Sequence, residues 1–437
     1  MPARLLTYHE APPIVTGAAA VRTRNTMGTD PRMSFRTLDR IRAGAATALV
    51  AVVLFAGAAP ARAAVLDQDW VGAVQVADTP ALRAKAPDLF IPEGVLSTMD
   101  GRQLWARQPD GRRAMASTTK IMTAVVALEN GSLDDSVTVD KRASMVGQST
   151  MGLIDGEKMT VGELLKGVLV QSGNDAATLM AEHVGGSVAG FVKMMNDKAG
   201  ALDLVDTHYV NPHGLDAKGH YTSARDLTSL ARYAMRQPVF RQLVGTLKVT
   251  ARSDRYTHVL LSHNSLLKTY KGAEGIKTGW TDDAGYCIVF AAKRGGIELV
   301  GTVMDASSTG SRAQQTKKLF DWGFRHYRER QVVQAGEQLG RVPVTDYMER
   351  TVAARTAEAT SLPVFDLAGP VRRRVDLRSG VAAPVRAGDA IGTLTVFQGD
   401  TVLAQVPLVA AADVPAPTLG ERVAFFFGKL WRGIVGS

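Results

Sequence analysis

The chain has 437 residues, 46% hydrophobic and 21% charged, an ordinary globular composition long enough for two or three domains. Eight arginines against three acids before residue 64 account for five of the nine charges in its net +9. The remaining four, spread over the rest of the chain, are too thin for a phosphate-binding stripe, which excludes nucleic acid as a partner.

Residues 1–63 read as a signal or targeting region. Arg36, Arg40 and Arg42 precede the apolar run Ala43 to Ala59, and Ala61-Arg62-Ala63 supplies the small-x-small pattern that fits a signal peptidase. The run is short, alanine-rich and followed by that triplet, which favours an exported chain beginning at Ala64 over a permanent transmembrane helix.

Residues 64–333 form the second segment. The turn signals Asp100-Gly101 and Asp110-Gly111 bracket a short strand, Gln103 to Arg107. Ser117 to Glu129 carries Ile121, Val125 and Leu128 at helical spacing and stops at Asn130-Gly131. Helical patterns continue between residues 160 and 240, notably Val161 to Val170 and Ala176 to His183. Strands follow: Tyr286 to Ala292 and Ile297 to Met304 flank Lys293-Arg294-Gly295-Gly296 as an antiparallel hairpin, and a helix runs from about Ser311 to Tyr327. The lone Cys287 sits in the first of these strands, where it can form neither an internal disulfide nor a zinc cluster. The fold class expected is α+β, an antiparallel sheet made from both ends of the domain with a helical region between them.

Residues 334–415 change texture to short apolar strands broken by Gly and Pro, such as Ala390 to Phe397 and Val402 to Val409, and read as a small all-β domain. Residues 416–437 then form an amphipathic helix. Thr418-x-x-Glu421 is a capping box, and Leu419, Val423, Phe426, Phe427, Leu430, Trp431 and Ile434 gather on one side, with Phe425 misplaced among the polar residues. A terminal, basic, aromatic-rich helix too short and charged to span a bilayer is expected to lie on a membrane surface through residues 418–437.

The chemistry lies in three short motifs, in order: Ser117-Thr118-Thr119-Lys120, Ser172-Gly173-Asn174 and Lys277-Thr278-Gly279. A serine hydroxyl is a poor nucleophile until a base removes its proton. Residues i and i+3 at a helix start share a face, which puts the Lys120 amine within reach of the Ser117 hydroxyl, and a desolvated amine near another cation becomes such a base. Ser172 is expected to relay the proton to the leaving amine and Asn174 to hold the substrate peptide by its amide. On an edge strand, Lys277 offers a positive charge, Thr278 a hydroxyl for a carboxylate and Gly279 room for a substrate strand.

Each motif alone is weak: Ser265-Leu-Leu-Lys268 and Ser262-His-Asn264 repeat two of them. Those copies fail on context, since no helix is expected after Ser265 and Ser262 falls only 15 residues before Lys277. The ordered set is the signature of penicillin-binding proteins and class A β-lactamases. His208, His213 and His220 match no zinc spacing and are expected to be structural, and no metal or cofactor is implied. Gly147-Gln148-Ser149-Thr150-Met151 falls short of a nucleophile elbow at its last position.

Extended to Ala116 through Thr123, Ser172-Gly173-Asn174-Asp175-Ala176-Ala177, Asn211-Pro212-His213-Gly214-Leu215 and Gly275 through Gly279, the pattern resembles the low-molecular-mass penicillin-binding D-alanyl-D-alanine carboxypeptidases. The resemblance covers about residues 80–330. It implies a β-lactamase-like fold, a peptidoglycan pentapeptide as substrate, β-lactams as inhibitors, an acyl-enzyme on Ser117, and an oxyanion hole from the N–H groups of Ser117 and Trp280. It also implies a carboxylate-binding arginine after the Lys-Thr-Gly strand, a place that Arg312 fits. His263 departs from relatives that carry an arginine there, which shifts weight onto Lys277 and Arg312. A β-lactamase would need a water-activating glutamate, but the stretch after Ser172 offers Asp203, Asp206 and Asn211 and no Glu. A non-catalytic wall-binding protein would not need both Ser117 and Lys120.

Overall fold

The computed structural model describes residues 85–435; the targeting region and its cleavage motif lie outside them. In chain order, β1 (Glu93–Thr98) and β2 (Gln103–Arg107) form a hairpin, and a 3-10 turn, Ala116–Thr119, runs into α1 (Lys120–Asn130). Next come β3 (Ser136–Thr138), α2 (Lys141–Ser144), β4 (Lys158–Thr160) and α3 (Val161–Lys166), the last prolonged by a π-turn over Gly167–Gln171. Four helices follow: α4 (Asn174–Gly185), α5 (Val188–Ala201), α6 (Ala224–Ala234) and α7 (Pro238–Val244). The chain then returns to strands with β5 (Lys248–Arg252), β6 (Thr257–Leu261), the single turn α8 (Leu266–Thr269), β7 (Ala273–Thr281), β8 (Gly285–Arg294) and β9 (Ile297–Ala306), and closes the domain with α9 (Thr309–His326).

Among the described residues the central sheet has the order β2-β1-β9-β8-β7, every pair antiparallel, so both ends of the domain meet at β1 and β9. Period-2 alternation sends neighbours to opposite faces. Val95 joins the helical core with Leu227, Leu230 and Val300, whereas Leu96 joins Phe290, Leu299 and Phe320 under α9. Phe290 and Phe320 meet edge-to-face at 4.9 Å, a geometry worth about 0.5–1.5 kcal/mol beyond its burial. Side-chain caps start the helices, with Ser223 accepting from Asp226 N–H for α6 and Ser308 from Ser311 N–H for α9.

Two features differ from the sequence reading. β1 and the β5–β6 hairpin are strands that their short, mixed sequences do not announce. A helical turn does follow Ser265, because Asn264 Oδ1 accepts the Leu266 N–H and Leu266 is buried. Ser265 and Lys268 nevertheless both face solvent.

The C-terminal module holds β10 (Tyr327–Val333), β11 (Gln338–Pro343), β12 (Thr351–Thr356), β13 (Thr360–Phe365), β14 (Val371–Leu377), β15 (Ala390–Gln398) and β16 (Thr401–Ala410). β10 falls before the boundary read at residue 334, yet it pairs with β13 inside this module. Gln398 fastens the module to the catalytic domain: its Oε1 accepts from Arg102 at 2.7 Å while its amide donates to the carbonyls of Phe365 and Gly369. The chain ends in α10 (Leu419–Val435), started by the Thr418–Glu421 capping box.

Candidate active site

The 3-10 turn places Ser117 at the mouth of a cleft of about 390 Å³, between the helical region and the edge strand β7. Ala116 enters the turn at φ +48°, and the Thr118 and Thr119 hydroxyls donate to the Met115 and Ala116 carbonyls. Two glycines let the chain close around it. At Gly214, with φ +92°, a Cβ would fall 1.9 Å from the Ala116 carbonyl. A Cβ on Gly279 would come within 2.9 Å of both Ala116 Cβ and Ser117 N. Gly279 therefore serves the approach of β7 to the nucleophile turn, rather than only the room for a substrate that its place in the motif implies.

Lys120 begins α1 and is wholly buried. Its Nζ lies 2.9 Å from Ser117 Oγ, 2.6 Å from Asn174 Oδ1 and 2.7 Å from the His213 carbonyl. Burial, and next the Lys277 charge, drive its pKa well below that of a free lysine. A neutral amine fits the three contacts: two N–H bonds donate to Asn174 and His213, and the lone pair faces the Ser117 hydroxyl.

Ser172 occupies a left-handed position, φ +66°, where the π-turn breaks into α4, a strained backbone of the kind found at functional sites. Its Oγ accepts from Lys277 Nζ at 2.8 Å. Lys277 also donates to the Thr278 carbonyl at 3.0 Å and is buried, and desolvation followed by the Arg312 charge lowers its pKa to about 7. Arg312, at the start of α9, donates through Nη1 to the Gly279 and Cys287 carbonyls. Among the described residues nothing accepts from its Nε or Nη2, and both belong to a side chain that lines the cleft. Thr278 and Trp280 line it too, with Trp280 half exposed against Tyr286 at 5.8 Å.

Asn174 lines the cleft and is also bonded within the protein. Its Oδ1 takes the Lys120 proton donor, and its NH2 donates to the Gly147 carbonyl at 2.9 Å, so the amide joins the lysine to the 147–151 loop. That loop, dismissed as an elbow, lines the cleft through Gln148 and Ser149. Sequence reasoning passed over its anchor, the next residue after the motif. Asp175 is buried and accepts from the N–H groups of Met151, Gly152, Leu153 and Ala176. His220, expected to be structural, supports the nucleophile turn through Thr119. The Val210 N–H donates to His220 Nδ1, which leaves Nε2–H to face Thr119 Oγ1 at 2.8 Å, and burial lowers the His220 pKa to about 4. The three histidines make no metal site, and no cluster of metal-binding side chains occurs among the described residues.

A serine beside a buried, destabilised lysine, a second serine bonded to a second lysine on an edge strand, and an arginine at the far wall define a penicillin-recognising serine acyl-transfer enzyme. A profile of the D-alanyl-D-alanine carboxypeptidase family matches residues 95–308, and one of the penicillin-binding protein 5 C-terminal domain matches residues 327–416. The D-alanyl-D-alanine carboxypeptidase DacF of Bacillus subtilis is 33% identical over 322 residues, covering 72% of this chain and 83% of its own. DacA of Escherichia coli is 31% identical over 353 residues, covering 76% and 83%. Among solved structures, DacD of Francisella tularensis superposes with a TM-score of 0.57 at 26% identity, covering 76% of this chain and 95% of its own. The Streptomyces K15 DD-transpeptidase does so at 0.53 and 36%, covering 55% and 98%. The chain belongs to the D-alanyl-D-alanine carboxypeptidase family. It is a serine-type hydrolase acting on peptidoglycan.

Proposed function

We propose that Ser117 is the acylated nucleophile and Lys120 its base; the observation that carries this is the wholly buried Lys120 amine 2.9 Å from Ser117 Oγ. The Ser117 proton passes to Lys120 as Oγ attacks the carbonyl carbon of the penultimate D-alanine. The N–H groups of Ser117 and Trp280 hold the oxyanion, the C–N bond breaks, and Ser172 relays the proton taken up by Lys120 to the departing D-alanine amine, so both Lys120 and Ser172 end as they began. Water then hydrolyses the ester and restores the hydroxyl. β-Lactams enter at the same serine because their ring amide presents the same carbonyl.

Lys277, Thr278 and Arg312 receive the terminal carboxylate. The cleft-lining residues include two bases, His263 and Arg312, and no Asp or Glu, so the wall is uncompensated until an anion arrives. Arg312→Ala is expected to lower kcat/KM for a peptide ending in free D-Ala-D-Ala by about 10- to 100-fold, the size of a lost charge-assisted bond. Its amidated counterpart, a poor substrate throughout, loses little further. Equal losses for both peptides reject the role.

We further propose that the protein is exported and that α10 ties it to the outer face of the cytoplasmic membrane. No helix among the described residues is long and apolar enough to cross a membrane. Yet Leu419, Val423, Phe426, Phe427, Leu430 and Trp431 are each at least half exposed. Phe425, the one on the polar side, is partly buried, and Gly428 three residues on lies against Met348, so the helix turns its apolar face outward. A chain ending at Pro415 is expected to stay folded and active on small peptides while it no longer sediments with anionic lipid vesicles. Retained sedimentation, or unfolding, rejects the tether.

A further inference from the structure

His263 follows β6 and lines the same cleft as Ser172, Thr278 and Arg312. Among the described residues its ring has no hydrogen-bonding partner, and it reaches the solvent of the cleft. The ionisable groups acting on it are Lys277 from β7, Arg312 from α9 and Lys120 from α1, with no carboxylate among them. An imidazole placed among bases with no protein acceptor is a group in want of an anion. In the free enzyme it stays neutral, since desolvation first, and then the charges of Lys277 and Arg312, oppose its protonation.

We propose that His263 is a further ligand for the substrate's terminal carboxylate, one that binds it as imidazolium, so that each carboxylate bound draws up to one proton from solvent. This rests on the carboxylate-binding wall proposed above. The incoming anion cancels much of the field of Lys277 and Arg312 and adds an attraction of its own, and both effects favour the protonated ring. The sign follows from linkage. A group whose pKa rises on binding strengthens binding fully below its free pKa, and the gain is lost as pH rises through its bound value. The free value lies below that of an ordinary histidine, so the gain extends upward from the acidic side toward neutrality.

The test compares KM for an N-acylated D-Ala-D-Ala peptide between pH 5.5 and 9 in the wild type, His263→Gln and His263→Arg. Taking the ratio of variant to wild type cancels the contribution of Lys277, which titrates in all three. The Gln ratio is expected to be about tenfold at the acid end, the size of one charge-assisted bond at a half-open wall, and to fall toward one at the alkaline end. His263→Arg, charged throughout, is expected to match the wild type in acid and to bind more tightly than it in alkali. Penicillin labelling of Ser117 is expected in all three enzymes. A Gln ratio that does not vary with pH, or an Arg variant that behaves like Gln, overturns the proposal. Loss of labelling in the wild type would instead indict the acyl-enzyme reading beneath it.

Discussion

Ser117→Ala is expected to abolish both penicillin labelling and D-alanine release, the largest effect of any single substitution in this chain. The argument is geometric. Three other hydroxyls need excluding. Ser172 Oγ is bonded to Lys277 Nζ and, unlike Ser117, has no bond to Lys120. Ser149 lines the cleft, but its Oγ donates to the Gln171 carbonyl and has no amine beside it. Ser265 repeats the Ser-x-x-Lys spacing, yet it and Lys268 both face water and neither lines the cleft. Losing the nucleophile of a covalent mechanism leaves only what binding and an oxyanion hole give, roughly 10³–10⁴-fold over water by analogy with serine proteases. Intact-protein mass spectrometry after penicillin treatment checks this, and an adduct on the Ala variant, at Ser265 or elsewhere, refutes it. The same time course addresses a β-lactamase activity: a persistent adduct on the wild type argues against fast deacylation.

How much of this was legible beforehand depends on whether a residue's role is local. Ser117 and Lys120 are one turn apart, so their pairing follows from helix geometry. The β8–β9 hairpin and α9 announce themselves through long apolar runs with a clear period. Lys277 bonded to Ser172 joins positions 105 apart, and no spacing rule foretells that; only the ordered motif set hinted at it. The bonds of Asn174 to Lys120 and Gly147 were not legible, because an amide in a motif can face substrate or protein and its partners are set by tertiary packing. Asp175 escaped because its partners are backbone N–H groups, which have no sequence signature. β1 was missed for a related reason. Glu93 to Thr98 is buried at every position, so it lacks the alternation that marks a half-exposed strand. In α10 the exception was informative: Phe425 breaks the pattern because it faces the protein while its neighbours do not.

Lys120→Met is expected to lower the rate of penicillin acylation by about 10²–10⁴-fold, the usual worth of a positioned base, with the fold retained. Two effects on stability oppose each other. Asn174 Oδ1 and the His213 carbonyl lose their donor inside the protein, which costs about 1–3 kcal/mol for each group left unpaired. Against that, a buried amine that desolvation and Lys277 already disfavour in its charged form is replaced by an apolar chain of similar length, which removes the cost of keeping that polar group out of water. Methionine is chosen over alanine because alanine would add a cavity to the loss. The pH dependence separates a base from a mere positioning group. In the wild type, acylation falls as acid protonates Lys120, and because the Lys120 pKa is depressed that limb lies well below the range of ordinary lysines. Lys277, with a pKa of about 7, loses its charge on the alkaline side and weakens the hold on a carboxylate there. The wild-type profile of kcat/KM is expected to carry both limbs, and Lys120→Met to remove the acid limb while leaving the alkaline one. Stopped-flow acylation across pH, alongside a thermal melt, reads both. A variant that acylates within tenfold of wild type, or one that keeps the acid limb at a reduced rate, would show that the proton leaves Ser117 by another route.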